Sequence, residues 1–374
     1  MKKRIVFSVI TGIILFSIIT WSLTAATVYV GFLFNDRDSM GTVVSRQALQ
    51  SVVLAMEYFN SRSSSRKYVP LLLDGSDING GIRLAAQKDA AAVIGGTDLQ
   101  YPLLLPEITN SHDIAVISLE PGSLLARGND FVFRPRPESG GRELGLCARE
   151  RGISAYAAIV SGFESSYVQE FIRDFESGAG IPPKRTLVFS GDLNKIIENF
   201  ERTGRGMDAV LLVLPDWLAA IAIRELRLRT PHLEVFASNR AVSHRTQRLA
   251  GVFGEGLLTA ASLPSGWNTH PFTVFVRETY GDHIPPVTLS MGYDAVAMLD
   301  EAISIAGSNN MKKVASVLKQ LQELSLSHGK IAMDRNGDLL LPVSLLSLGE
   351  KGWTPFTHSS SAALSRIAAH GAEQ

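Results

Sequence analysis

The chain has 374 residues, 45% hydrophobic and 19% charged, with 36 basic residues set against 36 acidic ones and a formal net charge of zero. This is an ordinary globular composition, long enough for about two domains, and with no basic stripe or RNA-type aromatic motif it argues against a nucleic-acid partner. The single cysteine, Cys147, excludes an intrachain disulfide and a cysteine-based metal cluster, and its place in the helical-looking stretch LGLCARE marks it as a small core residue.

The N-terminus reads as a targeting segment. MKKR precedes the apolar run IVFSVITGIILFSIITW, and SLTAAT follows, with Thr24 and Ala26 at the positions a signal peptidase reads. Residues 1–26 are therefore expected to be a signal peptide. The alternative is an uncleaved anchor, because the apolar run approaches the roughly 18 residues at which a spanning helix begins. No cysteine follows the run, which excludes a lipid anchor. Either way the remainder is expected in the periplasm or another extracytoplasmic space.

After Thr27 strands and helices alternate. VYVGFLF (28–34) reads as a buried strand, and the helix after it carries Leu49, Val52, Val53, Met56 and Phe59 on one face of a 3.6-residue period. VPLLL (69–73), AAVI (91–94), IAVIS (114–118) and FVF (131–133) read as further short strands. AYAAIV (155–160) opens a second series, whose first helix aligns Val168, Phe171, Ile172 and Phe175. TLVFS, DAVLLVL and EVFAS follow, each separated by a helical stretch. Continuous apolar strands between amphipathic helices mean parallel sheets covered on both faces. The expected fold class is α/β, with two doubly wound parallel-sheet lobes.

Later, GYDAVAMLDEAISIA reads as a helix stopped at Gly307, and Val314, Val317, Leu318, Leu321 and Leu324 mark another. Asn336-Gly337 between two extended runs is a hairpin signal. The Ser- and Ala-rich tail, 358–374, is expected to be poorly ordered.

Catalytic signatures do not surface. There is no Gly-x-Ser-x-Gly elbow, no His-Glu-x-x-His and no pair of histidines at metal-ligand spacing, and the eight histidines are scattered, mostly in expected loops, as surface residues would be. The acid pairs Asp36/Asp38 and Asp334/Asp338 read as turn chemistry. No catalytic residue, metal or cofactor is expected, and the chain is not expected to be an enzyme.

Five stretches carry a resemblance: VYVGFLFNDRDSMGTVVSRQALQSVVLAMEYFN, AAVIGGTDLQYPLLLPEI, IAVISLEPGSLLARGNDFVFRPRP, DAVLLVLPDWLAAIAIRELRLRTPHLEVFAS, and PPVTLSMGYDAVAMLDEAISIAG with the later MDRNGD. In order and spacing the chain resembles the type I periplasmic solute-binding proteins of ABC importers, in the branch that contains the leucine/isoleucine/valine-binding proteins. The resemblance runs from about Val28 to Trp353. It implies capture of a small polar ligand (an amino acid, amide or related carboxylate) between two lobes that close about a hinge. It also implies a monomer that docks on a membrane permease. The alternative is a membrane-anchored sensory protein of the same fold.

The family chain passes between lobes three times. The resemblance therefore assigns 27–142 with 271–328 to lobe one and 143–270 with 329–357 to lobe two, with crossings near Arg142, Pro271 and Gly329. In such sheets ligands meet the carboxyl ends of strands, where helix N-termini offer free N–H groups and a partial positive charge. Gly95-Gly96 lets the backbone approach closely there, or simply forms a βα turn with Thr97 or Asp98 as N-cap. Carried over residue by residue, the resemblance places Thr97 and Asp98 in the first binding loop. Ser118, Leu119, Glu120, Gly122 and Ser123 fall in the second, where SLEPGS replaces the usual Ser-x-Ala-Thr. Lobe two is expected to contribute Phe163, Tyr167, Asp216, Trp217 and Asn239. Asp216 reads equally as an N-cap, and Glu120 as a solvated loop residue. Amino-acid binders place an acid against the ligand ammonium where this chain reads Ser238, Asn239 and Arg240. That departure puts a zwitterionic amino acid in doubt and leaves Arg240 to read a second carboxylate or a carbonyl.

Overall fold

The computed structural model describes residues 25–34, 41–63, 65–95, 112–119, 131–135, 139–162, 165–203, 206–335 and 337–356. The expected signal segment, save its last two residues, and the C-terminal tail lie outside them. Among the described residues no helix is long and apolar enough to cross a membrane.

Two sheets organise the chain. The first contains β1 (Ala26–Phe34), β2 (Arg66–Asp74), β3 (Ala92–Gly95), β4 (Val116–Ser118) and β5 (Val132–Phe133), all parallel, in the order β2-β1-β3-β4-β5. The second contains β6 (Tyr156–Ser161), β7 (Arg185–Phe189), β8 (Ala209–Val213), β9 (Glu234–Ala237) and β10 (Leu258–Ala261), followed by β13 (Ser344–Gly349) and β14 (Gly352–Pro355). Its order is β14-β13-β10-β9-β8-β6-β7, and β13 joins β10 antiparallel. The run β7-β6-β8-β9-β10 repeats the 2-1-3-4-5 order of the first sheet, which is the doubly wound pattern.

Residue chemistry explains the layering. The central strands β3 (AVIG) and β8 (AVLLV) are buried at every position, as strands covered on both faces must be. Along β8 the side chains alternate between two cores: Val210 and Leu212 face one, Ala209, Leu211 and Val213 the other. The first sheet divides in the same way, with Val30 and Phe32 in one core and Leu33 in the other. Edge strand β7 buries only Phe189 fully.

The helices supply the opposing faces: α1 (Gly41–Arg62), α2 (Ile78–Gln87), α3 (Gly141–Glu150), α4 (Ser165–Ala179), α5 (Leu193–Thr203), α6 (Asp216–Arg229), α7 (His244–Ala250), α8 (Pro271–Tyr280), α9 (Pro286–Ala306) and α10 (Met311–Gln320). Val168, Phe171 and Phe175 of α4 are buried in the second sheet's core together with Cys147 of α3. Burial pushes the Cys147 thiol up to about 11, the chemistry of an inert core residue. Helices α3 and α4 touch backbone to backbone through glycine. A Cβ at Gly145 would lie 2.1 Å from the Phe175 carbonyl oxygen, and one at Gly178 would lie 2.1 Å from that of Arg142. Helix α9 ends at Gly307, as its sequence foretells, in the left-handed conformation at φ 58°.

The C-terminal third departs from expectation in two places. The helix marked by Val314 ends at Gln320, and Leu324 lies instead in β11 (Glu323–Leu326), paired antiparallel with β12 (Gly329–Ala332). Leu321 leaves the helix with extended dihedrals, and ELSL then alternates exposed and buried, so period two overrides a helical spacing that also fits. Leu324, Leu326 and Ile331 pack on the first sheet's core. Gly329 therefore belongs with the first sheet, and the chain passes to the second sheet after β12, across 333–343. The second passage likewise begins after β10, ahead of Pro271, because Trp267 already packs its ring against Phe272 of α8 and Tyr293 of α9. The first lies between β5 and α3.

Asn336 lies outside the described residues. Gly337 has φ 81°, its N–H donates to the Asp334 carbonyl at 3.1 Å, and Met333 and Leu339 make an antiparallel bridge. Instead of extending as a hairpin, the segment pairs Asp338 in parallel with Arg134, just beyond β5.

Candidate functional site

The strand order locates the site. In each sheet the strand order reverses beside the first strand, so a crevice opens at the carboxyl ends between β1 and β3 and between β6 and β8. Gly95 ends β3 and Ser118 ends β4 beside it, where the Leu119 N–H donates to the Gly95 carbonyl at 3.0 Å. The two first-lobe loops thus start side by side. Their continuations Thr97, Asp98, Glu120, Gly122 and Ser123 lie outside the described residues, as does Phe163. Ser118 is fully buried, and the Leu119 side chain is buried in the apolar core.

In the second sheet, Tyr167 follows β6, Asp216 and Trp217 follow β8, and Asn239 follows β9. Tyr167 and Asn239 meet: the phenol O–H donates to Asn239 Oδ1 at 3.0 Å. Asn239 Nδ2 donates in turn to the Ser139 carbonyl at 2.7 Å, in the first passage between sheets. Both ends of this buried amide are therefore used within the protein. Arg240 rests over the Tyr167 ring, its guanidinium carbon 4.3 Å from the centroid.

Asp216 is also committed. It is the first residue of α6, and its carboxylate accepts from the Trp217 N–H at 2.8 Å and from Ser243 Oγ at 3.0 Å, with an Arg245 guanidinium nitrogen at 3.6 Å. That is a structural role at a helix start. Trp217 is half-buried against the second sheet's core.

A cavity of about 640 Å³ lies at the flank between the sheets, lined by Asp216, His244, Arg245 and Glu255 on one side and by Asp282 and His283 on the other. His244 Nε2 stands 3.8 Å from Asp282 Oδ2 across it. Among the described residues no group of His, Cys, Asp and Glu is arranged to hold a metal.

The passages themselves are knotted together by polar side chains that sequence reading missed. Asp294, within YDAVAML, accepts from the Ser327 N–H at 2.8 Å and the Ser327 hydroxyl at 2.9 Å, holding the β11–β12 turn. His328 Nε2 lies 3.1 Å from Ser262 Oγ in the second passage. His270 accepts from the Phe272 N–H at the start of α8 and stacks on Trp267. Desolvation holds its imidazole below the usual histidine range. His270 and His328 are thus structural rather than surface residues. Ser139 carries no periodic or compositional signal, so its role shows only in three dimensions.

These features define a two-lobed, doubly wound α/β protein. Its fold is that of the type I periplasmic binding proteins, shared with solved structures of low sequence identity. A leucine-binding protein, LivK, from Thermotoga maritima is similar with a TM-score of 0.69 and 18% identity over 89% of this chain and 98% of its own. The branched-chain amino acid substrate-binding protein LivJ from Streptococcus pneumoniae, solved with isoleucine, is similar at 0.72 and 14% over 87% and 97%. A solute-binding protein of an ABC transporter from R. palustris, solved with benzoate, is similar at 0.72 and 14% over 89% and 96%. No protein-family model matches the chain, and no curated protein matches its sequence.

Proposed function

We propose that the protein is an extracytoplasmic solute-binding protein of an ABC-type importer, which captures a small ligand between its lobes and delivers it to a membrane permease. The observation that carries this reading is the repeated 2-1-3-4-5 strand order in two sheets joined by three passages. It sets two crevices of the ligand-binding kind in one chain. Ligand meets the strand ends of the first sheet, and rotation about the three passages brings Tyr167 and its neighbours over it. Closure is favoured only as far as the ligand prefers the closed state. The mechanism is capture, without bond making or breaking. Leucine, isoleucine and benzoate, the ligands of the similar proteins, share a carboxylate, which supports a carboxylate-bearing ligand here. Mass spectrometry of small molecules released on denaturing the purified protein tests the reading. A stoichiometric organic molecule is expected; a protein that carries none, and whose melting is unmoved by amino acids, amides and carboxylates, would contradict it.

A further inference from the structure

At the flank the two lobes face each other as charged walls. The loop after α8 begins at Gly281, held at φ 79°, and runs through Asp282, His283 and Ile284 to the two prolines where α9 starts. This loop is the lobe-one wall of the cavity of about 640 Å³, and α7 with its surroundings is the lobe-two wall. His244 Nε2 faces Asp282 Oδ2 across the gap at 3.8 Å, with both side chains about half exposed. Val242, just ahead of His244, is buried in the first sheet's apolar cluster, so the lobes already touch here. They cannot part at this flank without separating Asp282 from His244. Among the described residues, the lobe-two wall sets the carboxylates of Asp216, Glu255 and Glu350 against the guanidinium groups of Arg245 and Arg248. It therefore keeps one negative charge while His244 is neutral. Arg245 is engaged on its own wall by Asp216 at 3.6 Å. The lobe-one wall carries Asp282 and His283, again one negative charge while the imidazole is neutral. Walls of like charge repel. A proton on each histidine brings both walls to neutrality and gives Asp282 a cation in His244. Histidine is the side chain whose charge ordinarily changes between about pH 5 and 8.

We propose that His244 and Asp282 form a pH-dependent latch between the lobes, which acid draws together and neutral or alkaline pH releases. This inference rests on the solute-binding reading above, in which approach of the lobes is the capture step. Both are positioning residues: they act on capture by setting how much of the protein has its lobes close together, and apparent affinity follows that fraction. The pair is exposed, so its effect on the ratio of close to separated lobes is about two- to fivefold, and salt weakens it.

Spin labels on Lys88→Cys in lobe one and Glu198→Cys in lobe two, both exposed positions, read the lobe separation in the ligand-free protein, while Cys147 is buried away from the reagent. Going from about pH 8 to about pH 5.5 at low ionic strength should raise the ratio of short to long separations about two- to fivefold. Salt at roughly 1 M should remove most of that change. In the same labelled protein, Asp282→Asn should lose most of the pH response, and His244→Lys should hold the short separation at both pH values. His283→Gln should keep most of the response, because it leaves the facing pair intact. Melting curves confirm that the variants are folded. A separation that ignores pH in the parent, a full response in Asp282→Asn, or His244→Lys behaving as the parent would each overturn the latch. None of these results touches solute binding, since no ligand is present. That reading fails separately, if the native protein releases no small molecule and its melting is unmoved by amino acids, amides and carboxylates.

Discussion

Arg134 and Asp338, 204 positions apart, form a buried two-pronged ion pair, Nε and a terminal guanidinium nitrogen each donating to one carboxylate oxygen. Backbone bonds flank it, Arg134 N–H to the Gly337 carbonyl at 2.9 Å and Leu339 N–H to the Arg134 carbonyl at 3.0 Å. The pair fastens the third passage to the edge of the first sheet, where the first passage begins. Removing one partner strands a buried charge, so Asp338→Ala is expected to cost about 3–5 kcal/mol in urea unfolding. The double variant Arg134→Met/Asp338→Leu should recover much of that loss, because apolar replacement of both partners avoids desolvating either charge. A single-variant loss under about 1 kcal/mol would show that the pair does not carry this junction.

The α3–α4 contact leaves no room for a methyl group. Gly145→Ala and Gly178→Ala must push the helices apart, and each is expected to lower stability by about 1–3 kcal/mol or more. Thermal melting checks this; the gain of a better helix former works in the opposite direction and is smaller, about 1 kcal/mol. Unchanged melting temperatures would mean that the helices do not meet as described.

Tyr167→Phe keeps the ring under Arg240 and deletes only the donor to Asn239. Leaving that buried amide oxygen without its phenol should cost about 1–3 kcal/mol of stability. Asn239→Ala frees both Tyr167 and the Ser139 carbonyl and should cost at least as much. Denaturant titration of both variants decides, and a Phe variant as stable as the parent would remove the bond from the account.

Stability should fall at both ends of the pH scale, for separable reasons. His270 is held below the ordinary histidine range by desolvation, so the unfolded chain takes up its proton first. Stability from this group is present above about 6.5 and is lost as pH falls through the lower, folded value. At the alkaline end, burial raises Cys147 to about 11 and Tyr293 to about 12. The unfolded chain releases these protons first, so stability declines from about pH 8.5 upward. Urea midpoints across pH should show His270→Asn flattening the acid limb and Cys147→Ala reducing the alkaline one. A pH profile untouched by either change would refute these assignments.

Much of the fold was legible because strong local signals agree with the tertiary structure. DAVLLVLP is apolar without a break, and β8 is buried on both faces. Val168, Phe171 and Phe175 share a helical face, and that face is the core face. Local signals conflict where two periods fit the same residues: Leu324 suits a helix beginning near Val314 and equally the alternation of ELSL. The site was less legible still. Local sequence marks Asn239 as a polar residue after a strand. It carries no trace that Tyr167, 72 residues away, and Ser139, 100 residues away, take both ends of its amide. The departure at Asn239-Arg240 was visible in the sequence, but the support of Arg240 by Tyr167 depends on side-chain packing.

Small-angle scattering with and without ligand tests the central claim, capture by closure of two lobes, most directly. The small molecule recovered from the denatured protein is added back to saturation after refolding the chain free of it. The account predicts a smaller radius of gyration and a raised melting temperature, by about 2.7 kcal/mol of added stability at a hundredfold excess over Kd. Scattering that is unchanged while calorimetry shows the site filled would contradict it.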